Sequence, residues 1–589
     1  MPERAEKIWQ GWLPRLLARL RLTETQVFLA LTLIIGLVAG FSAVLFHLAI
    51  ETLRLDLFGL DEPSGWRTVV VLILVSLFTG YLLLHYFPDS RGSGVPQTSA
   101  AFHLAGGVMR ARTAVGKFVT GVLTIAAGHS LGREGPSVQI GAGLASVMGR
   151  WFRLSPTNVR NLVPVGAAAA LSAAFNTPIA AVLFALEEIV GDMNAAVMGS
   201  TVLASVAAVV VRRSVLGNEP LFEVPQYVLE HPAELLAYAA LGIVGGFVSV
   251  AFCKGLLRGR AFFVRLPSWT VVFQPALGGL VVGLVLVAVP QVMGVGYDSV
   301  SDALNGNLQL KGFTGRLFNG EALLMGFLVL AAVKIIATII SYASGNAGGI
   351  FAPALFIGAM VGGATGTIMA DLSPFPTGDA GAYALVGMGA LFAGIIRAPM
   401  TSVFMIFELT QDYQIIVPLM IANLISYMIS RRYQPTPVYH ALLRQDGIHL
   451  PSAATRAAAG RWRVRDVMKR EVDTIPVEST LAAAWERARK LGGHCFPVLN
   501  NDRLVGLVTM DMLEKALAEG EPERRLEEVS LWAEISVHVH ADQPLELALE
   551  RLSQGPGVLP VVNRGDVGRL EGVIDLESIL KAFQFTRRF

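Results

Sequence analysis

The run GREGPSVQIGA at residues 132–142 returns as GIFAPALFIGA at residues 349–359, with Pro353 following Pro136 by 217 residues. A second pair keeps the order: FNTPIAAVLFALEE at 175–188 and IRAPMTSVFMIFEL at 396–409, with Pro399 following Pro178 by 221 residues. Two motifs in the same order at nearly the same offset mark a duplicated segment. In both GREGP and GIFAP, Gly and Pro stand directly before an apolar run, and Gly92-Ser93-Gly94-Val95-Pro96 repeats that arrangement a third time. Pro in a first helical turn gives up no needed N–H, and Gly lets the backbone approach a neighbour closely. These are abrupt helix starts.

Their setting is a membrane. The 589 residues are 53% hydrophobic and only 16% charged, against about 25% charged in soluble domains, and mean hydropathy is +0.55. Phe28 to Ile50, Val69 to Leu84, Leu235 to Phe252, Ala276 to Val289 and Ala322 to Ile340 are long enough to cross, or nearly cross, a hydrocarbon core about 30 Å thick. Other apolar runs are shorter and interrupted by Gly or Pro. The first run begins near residue 27 with no small-residue cleavage site behind it, so it reads as a span rather than a signal peptide. Net charge of +2 gives no footprint for nucleic acid, and two cysteines in different regions, Cys253 and Cys495, form no disulfide framework. Arg15, Arg19 and Arg21 before the first run and Arg431 and Arg432 after the last long one put both ends in the cytoplasm by the positive-inside rule.

A helix that begins inside a membrane leaves its first N–H groups unpaired and carries about half a positive charge there. An anion satisfies both demands. Kinking for packing alone would explain one such motif; three, two of them repeat-related, point to an ion site between the halves of a duplicated transporter. The spacing leaves the mutual orientation of the halves open, and inversion is the expectation adopted.

Within this frame Glu134 is the candidate gate: a carboxylate between glycines at an intramembrane helix start mimics the anion, occupying the pathway when ionised and leaving it when protonated. The competing reading is a structural pair with Arg133, although adjacent residues seldom satisfy each other. Glu187 aligns with Glu408, whereas Glu188 aligns with Leu409. A carboxylate kept in both halves reads as a cap or acceptor, so Glu188, which breaks the symmetry, is the functional candidate. Lys117 and Lys334 read as snorkelling or structurally paired lysines. His129, five residues before Glu134, is either a group that titrates near neutrality or a packed or exposed loop residue.

Together GSGVP, GREGP and GIFAP resemble the signatures of the CLC chloride channels and transporters, and the resemblance runs in order over residues 25–445. It implies that Ser93 and Gly94, the backbone N–H groups of Ile350 and Phe351, and Tyr439 in TPVYHALL bind the anion. Glu134 would gate, Glu188 would carry protons internally, and Gly132, Arg133, Gly135 and Lys117 would support the site. Gln97 departs from the family, which usually has Glu there. The resemblance further implies chloride and protons as the transported ions, membrane lipid as surroundings, a homodimer, and the bacterial inner membrane as location.

Composition shifts after residue 445, and Arg463 to Phe589 is twofold. FPVLNNDRLVGLVT and LPVVNRGDVGRLEGVID, each following a helix, are similar to the strand pairs of CBS domains. That resemblance implies an adenine nucleotide held by a Ser/Thr after the last strand and an Asp three residues on. Here Thr509 is followed at that distance by Met512, with Asp511 one place early, while Asp575 holds the Ser/Thr place with Ser578 where Asp belongs. A ligand-free dimerising and gating module is the alternative.

The expected fold is an all-α polytopic membrane domain of two repeats with broken helices, followed by an α+β CBS tandem. The divisions are an N-terminal helix at 1–24, a membrane domain at 25–445 with repeats at 25–215 and 232–432, a linker at 446–462, and CBS modules at 463–520 and 521–589. The expected function is chloride/proton antiport without a required cofactor, ahead of a passive gated channel. A CBS-bearing membrane metalloenzyme is disfavoured by the absence of HExxH or any other zinc-ligand spacing, and a nucleotide sensor would leave three anion-suited helix starts unexplained.

Overall fold

The structure, a computed structural model, describes residues 24–59, 65–193, 195–218, 221–222, 224, 227, 229–311, 315, 323–448, 450, 462–518, 522–529, 537–552 and 557–579. Residues 1–23 of the helix expected at 1–24, and most of the linker at 446–462, lie outside the described residues. The chain divides into two units, 1–450 and 451–589.

In the first unit, one half runs α1 (Glu24–Phe58), α2 (Gly65–His85), α3 (Val95–Leu104), α4 (Ala111–Ala126), α5 (Glu134–Trp151), α6 (Pro156–Phe175), α7 (Pro178–Phe184) and α8 (Ala195–Leu216). The other repeats the order with α9 (Glu234–Val264), α10 (Gln274–Ala288), α11 (Tyr297–Leu304), α12 (Leu323–Ala343), α13 (Phe351–Leu372), α14 (Ala380–Ile396), α15 (Pro399–Thr410) and α16 (Ile416–Tyr433); α17 (Val438–Gln445) closes the unit. Among the described residues, six helices are long and apolar enough to cross a membrane. The packing repeats too. α5 lies along α6 as α13 lies along α14, and the first helix of each half packs on its last, α1 on α8 and α9 on α16. Small residues permit this: Gly141 meets Gly166 in one half, and Gly358 meets Gly387 in the other.

The two halves are inverted. Glu408, near the end of α15, accepts hydrogen bonds from the N–H groups of Ile179 (3.0 Å) and Ala180 (2.8 Å) in the first turn of α7. Reciprocally, Glu187 just beyond α7 accepts from the N–H groups of Met400 (3.3 Å) and Thr401 (2.8 Å) and from the Thr401 hydroxyl (2.6 Å) at the start of α15. Each equivalent helix therefore ends where the other begins, so the pair is antiparallel. Between the halves, Gly132 and Gly349 exchange backbone hydrogen bonds of 2.8 and 2.7 Å, an antiparallel bridge joining equivalent residues of the two repeats.

The described residues of the second unit form two small sheets. β1 (Ile475–Pro476) pairs parallel with β2 (Cys495–Asn500), which pairs antiparallel with β3 (Arg503–Thr509); β4 (Val558–Val562) pairs antiparallel with β5 (Leu570–Asp575). Its described helices include α18 (Leu481–Leu491), α19 (Met510–Ala518), α20 (Leu526–Val529) and α21 (Leu545–Leu552). The modules exchange their flanks. Lys469 and Val573 exchange backbone hydrogen bonds of 2.8 and 2.9 Å, and Val464 and Val467 share a core with Leu545, Val561 and Ile574. Conversely, Leu526 packs with Ile475 and Leu513 and donates its N–H to the Ser479 carbonyl at 3.0 Å. The segment at 463–469 thus packs with the sheet of the second module and 522–529 with that of the first. A sheet edge left open would expose unpaired backbone groups, and the flanks close it.

Candidate functional site

Three abrupt helix starts converge. α3, α5 and α13 begin at Val95, Glu134 and Phe351, and the loops before them touch one another. Gly348 donates its N–H to the Gly92 carbonyl at 3.2 Å, and Gly132 and Gly349 bridge as described. The closeness requires glycine: a Cβ on Gly135 would lie 2.7 Å from both the carbonyl oxygen and the Oγ of Ser93, too near for any side chain to stand.

At this junction Glu134 is 1% exposed. Its Oε1 accepts a hydrogen bond from the Tyr297 hydroxyl at 2.7 Å. Its Oε2 makes no hydrogen bond of standard geometry, and the carboxyl group lies close to the backbone N–H groups of Glu134 itself and Ala352, at the starts of α5 and α13. The carboxylate thus sits where two helix dipoles favour negative charge. Arg133 does not pair with it: the guanidinium reaches the His47 ring and stands 5.8 Å from the centroid of the Tyr297 ring.

Ser93 and Tyr439 are completely buried or nearly so. Their hydroxyls lie next to each other, yet neither makes a hydrogen bond of standard geometry with the protein. Two buried hydroxyls without such a bond are rare. The N–H groups of Ile350 and Phe351 open α13, where helix geometry supplies no partner. Gly94 is different. Its N–H donates to Gln97 Oε1 at 3.0 Å while Gln97 Nε2 donates to the Arg91 carbonyl at 3.1 Å. The side chain at that departure from the family pattern caps its own helix, and the Gly94 N–H expected to face the anion is taken.

Glu188 is 9% exposed and one of its oxygens makes no standard hydrogen bond. It sits in a π-helical turn, Ala185–Val190, that continues α7. Such widened turns are frequent at functional sites, and here the turn sends Glu187 to the start of α15 while Glu188 faces inward, within electrostatic reach of Tyr439. The role of hydrogen-bond acceptor read for Glu187 agrees with this geometry.

Lys117 is fully buried and donates to the carbonyls of Ser90 (2.8 Å) and Gly92 (2.5 Å). Its counterpart Lys334 donates to those of Val292 (3.0 Å), Gly294 (2.8 Å) and Val295 (3.3 Å). Neither snorkels. Each clamps the loop before a short helix. His129 is likewise buried, with Nε2 2.6 Å from Ser76 Oγ and Nδ1 3.2 Å from Ser341 Oγ, a packed residue with both ring nitrogens bonded.

Residues 75–431 match the family model of the voltage gated chloride channel. The chain belongs to the voltage gated chloride channel family. Residues 464–519 and 533–584 match the CBS domain. Among relatives of this chloride channel family member, the chain is 32% identical over 444 residues to a putative chloride channel protein ClcB-like of Ralstonia nicotianae, covering 72% of this chain and 100% of the relative. It is also 32% identical over 428 residues to the H(+)/Cl(-) exchange transporter ClcA of Vibrio campbellii, covering 70% of this chain and 88% of that one. Among solved structures, a slow cyanobacterial Cl-/H+ antiporter is similar with a TM-score of 0.63 and 26% identity, covering 71% of this chain and 97% of that chain. A eukaryotic CLC transporter shares the fold over 94% of this chain and 97% of its own, with a TM-score of 0.64 and 18% identity.

In the CBS region of this chloride channel family member, the residues named for a nucleotide do local work. The Thr509 hydroxyl accepts from the N–H of Met512 at 3.3 Å, a cap for α19 that leaves the exposed Asp511 in its first turn. Asp575 accepts from Lys469 Nζ at 2.7 Å and from the Ser578 N–H at 2.7 Å. Burial alone would raise its carboxyl, but the Lys469 ammonium and the Ser578 N–H and hydroxyl outweigh that and hold it below the usual carboxylate range.

Sequence reasoning missed Tyr297. A signal existed: Gly294-Val295-Gly296 answers Gly92-Ser93-Gly94, and α11 follows it as α3 follows the first turn. The offset is 202 residues rather than 217 or 221, so the pair fell outside the repeat as drawn. Lys117 and Lys334 clamp the equivalent carbonyls of these two turns, which fixes the correspondence.

Proposed function

We propose that the chain exchanges chloride for protons across a membrane, with Glu134 as gate and Glu188 as internal proton carrier. One observation carries the reading: the Glu134 carboxylate occupies the joint start of α5 and α13, beside the hydroxyls of Ser93 and Tyr439, which make no hydrogen bond of standard geometry among the described residues. An ionised carboxylate and a chloride compete for such donors. Protonation removes the charge from Glu134 and lets chloride take its place, and the departing proton passes to Glu188, so neither ion moves alone. Ser93 and Tyr439 would donate O–H groups to chloride, with the N–H groups of Ile350 and Phe351; Gly132, Arg133, Gly135 and Lys117 would shape the site. Support comes from the named activities of the Vibrio campbellii and cyanobacterial relatives.

The remaining features follow the same reading. The chain is proposed to sit in a bacterial inner membrane with both termini cytoplasmic, in keeping with Arg431 and Arg432 in the last turn of α16. It is proposed to form a homodimer through apolar side chains exposed on α8 and α16, such as Val206, Val210, Leu424 and Met428. The CBS tandem would regulate without an adenine nucleotide, since Thr509 and Asp575 are engaged locally.

The test is flux in sealed vesicles containing the purified chain. A pH gradient is expected to drive chloride against its own gradient, and Glu188→Gln to abolish that drive while chloride flux persists. Chloride that only relaxes to its electrochemical equilibrium would replace exchange with passive conduction.

A further inference from the structure

The second half of the molecule carries a turn equivalent to the one that presents Ser93, but it presents its hydroxyl elsewhere. Ser93 is at the centre of Gly92-Ser93-Gly94, and the matching position in Gly294-Val295-Gly296 is the apolar Val295. The hydroxyl stands two residues further on, at Tyr297, where the first half has Val95. Tyr297 opens α11 directly after Gly296, whose φ of 81° is left-handed, and it donates to Glu134 Oε1 at 2.7 Å.

This donor is held rigidly. Lys334 bonds the carbonyls of Val292, Gly294 and Val295 and lies 4.7 Å from the Phe356 ring centroid. The Tyr297 ring meets Phe222 edge-on at 5.4 Å and 86°, and Arg133 covers its face. A tyrosine whose turn is clamped below and whose ring is packed on two sides cannot follow Glu134 when that side chain moves. The hydrogen bond therefore exists in one position of the carboxylate and is lost in the other.

We propose that Tyr297 is a positioning residue for the gate, a fixed latch whose hydroxyl holds the Glu134 carboxylate in the pathway against chloride. The proposal rests on Glu134 being the gate, as proposed above. An O–H donor to a charged carboxylate is a strong bond, and it acts only on the state in which the carboxylate is in place. By the logic of a two-state equilibrium, removing it shifts occupancy toward the anion.

The test uses the full chain in detergent and in vesicles, comparing wild type, Tyr297→Phe, Glu134→Gln and the double variant. Tyr297→Phe keeps the ring and its packing. It is expected to bind chloride about tenfold tighter by isothermal titration and to move fewer protons per chloride. In the Glu134→Gln background, where no carboxylate remains to be held, the same substitution is expected to change chloride affinity by less than about twofold. Equal effects in both backgrounds would make Tyr297 a packing residue and overturn the latch, as would unchanged affinity and proton count in Tyr297→Phe. If Glu134→Gln alone leaves the proton-to-chloride ratio of wild type, the gate itself fails and the latch fails with it.

Discussion

Replacing Ser93 by alanine separates an anion ligand from a structural hydroxyl. Ser93 Oγ is completely buried and makes no hydrogen bond of standard geometry among the described residues, so its loss breaks none. Removing an unsatisfied hydroxyl is close to neutral for stability, or slightly stabilising. Its loss to a bound anion is different: a hydrogen bond to a charged acceptor contributes about 1.5–3 kcal/mol, which weakens chloride binding about 10- to 150-fold. Tyr439 Oη lies beside it, and Tyr439→Phe is expected to act in the same direction. Because both donors serve one ion, the double variant should lose less than the two single losses together. Chloride titration of the purified chain, read calorimetrically, measures the affinity, and thermal denaturation in the same detergent measures the stability. Affinity within about threefold of wild type, or a fall in melting temperature in step with the fall in affinity, would refute the assignment.

Three further outcomes follow from the geometry. Glu187→Ala and Glu408→Ala each free the N–H groups of a facing helix start and should cost about 1–2 kcal/mol of stability, lowering melting temperature while the proton-to-chloride ratio stays that of wild type. Lys117→Met leaves the Ser90 carbonyl without its buried donor and the Gly92 carbonyl to the Gly348 N–H, at about 1–3 kcal/mol for the stranded group, and should reduce the yield of chain that remains monodisperse after heating. Asp575 titrates below its unfolded value, so it favours the folded tandem above that unfolded value, and the contribution fades as pH falls through the folded one. Asp575→Asn should therefore flatten the acid limb of the tandem's stability, by about 1 kcal/mol or less for so accessible a pair, read by hydrogen exchange at Lys469 and Val573 in the full chain.

Much of this could be read in advance because the duplicated motifs are built from residues with backbone consequences. Gly and Pro announce helix starts wherever they recur, and a carboxylate present at 187 and 408 but absent at 409 separates a cap from an unpaired acid. What escaped depends on contacts between distant residues. Tyr297 reaches Glu134 across 163 positions, and its turn sits off the repeat offset because the connections in the two halves differ in length. Gln97 was legible as a departure, but its capture of the Gly94 N–H depends on a side-chain rotamer. The exchanged flanks of the CBS modules were equally hidden, since 463–469 precedes its first strand in sequence whichever sheet it joins. His129 shows the same limit: proximity to Glu134 in the chain suggested titration, while Ser76 and Ser341, which engage both ring nitrogens, lie far away in sequence.

The reciprocal bonds between the halves bear on how the protein is made. While the ribosome is still translating the second half, Ile179 and Ala180 lack the carboxylate of Glu408, and the Gly132 N–H lacks the carbonyl of Gly349. Unpaired backbone groups are costly in lipid, so the nascent first half cannot settle into its final arrangement on its own. It must wait, partly hydrated or sheltered by the insertion machinery, until α13 and α15 arrive. A ribosome stalled before residue 349 would therefore leave a protease-sensitive intermediate rather than a half-finished transporter.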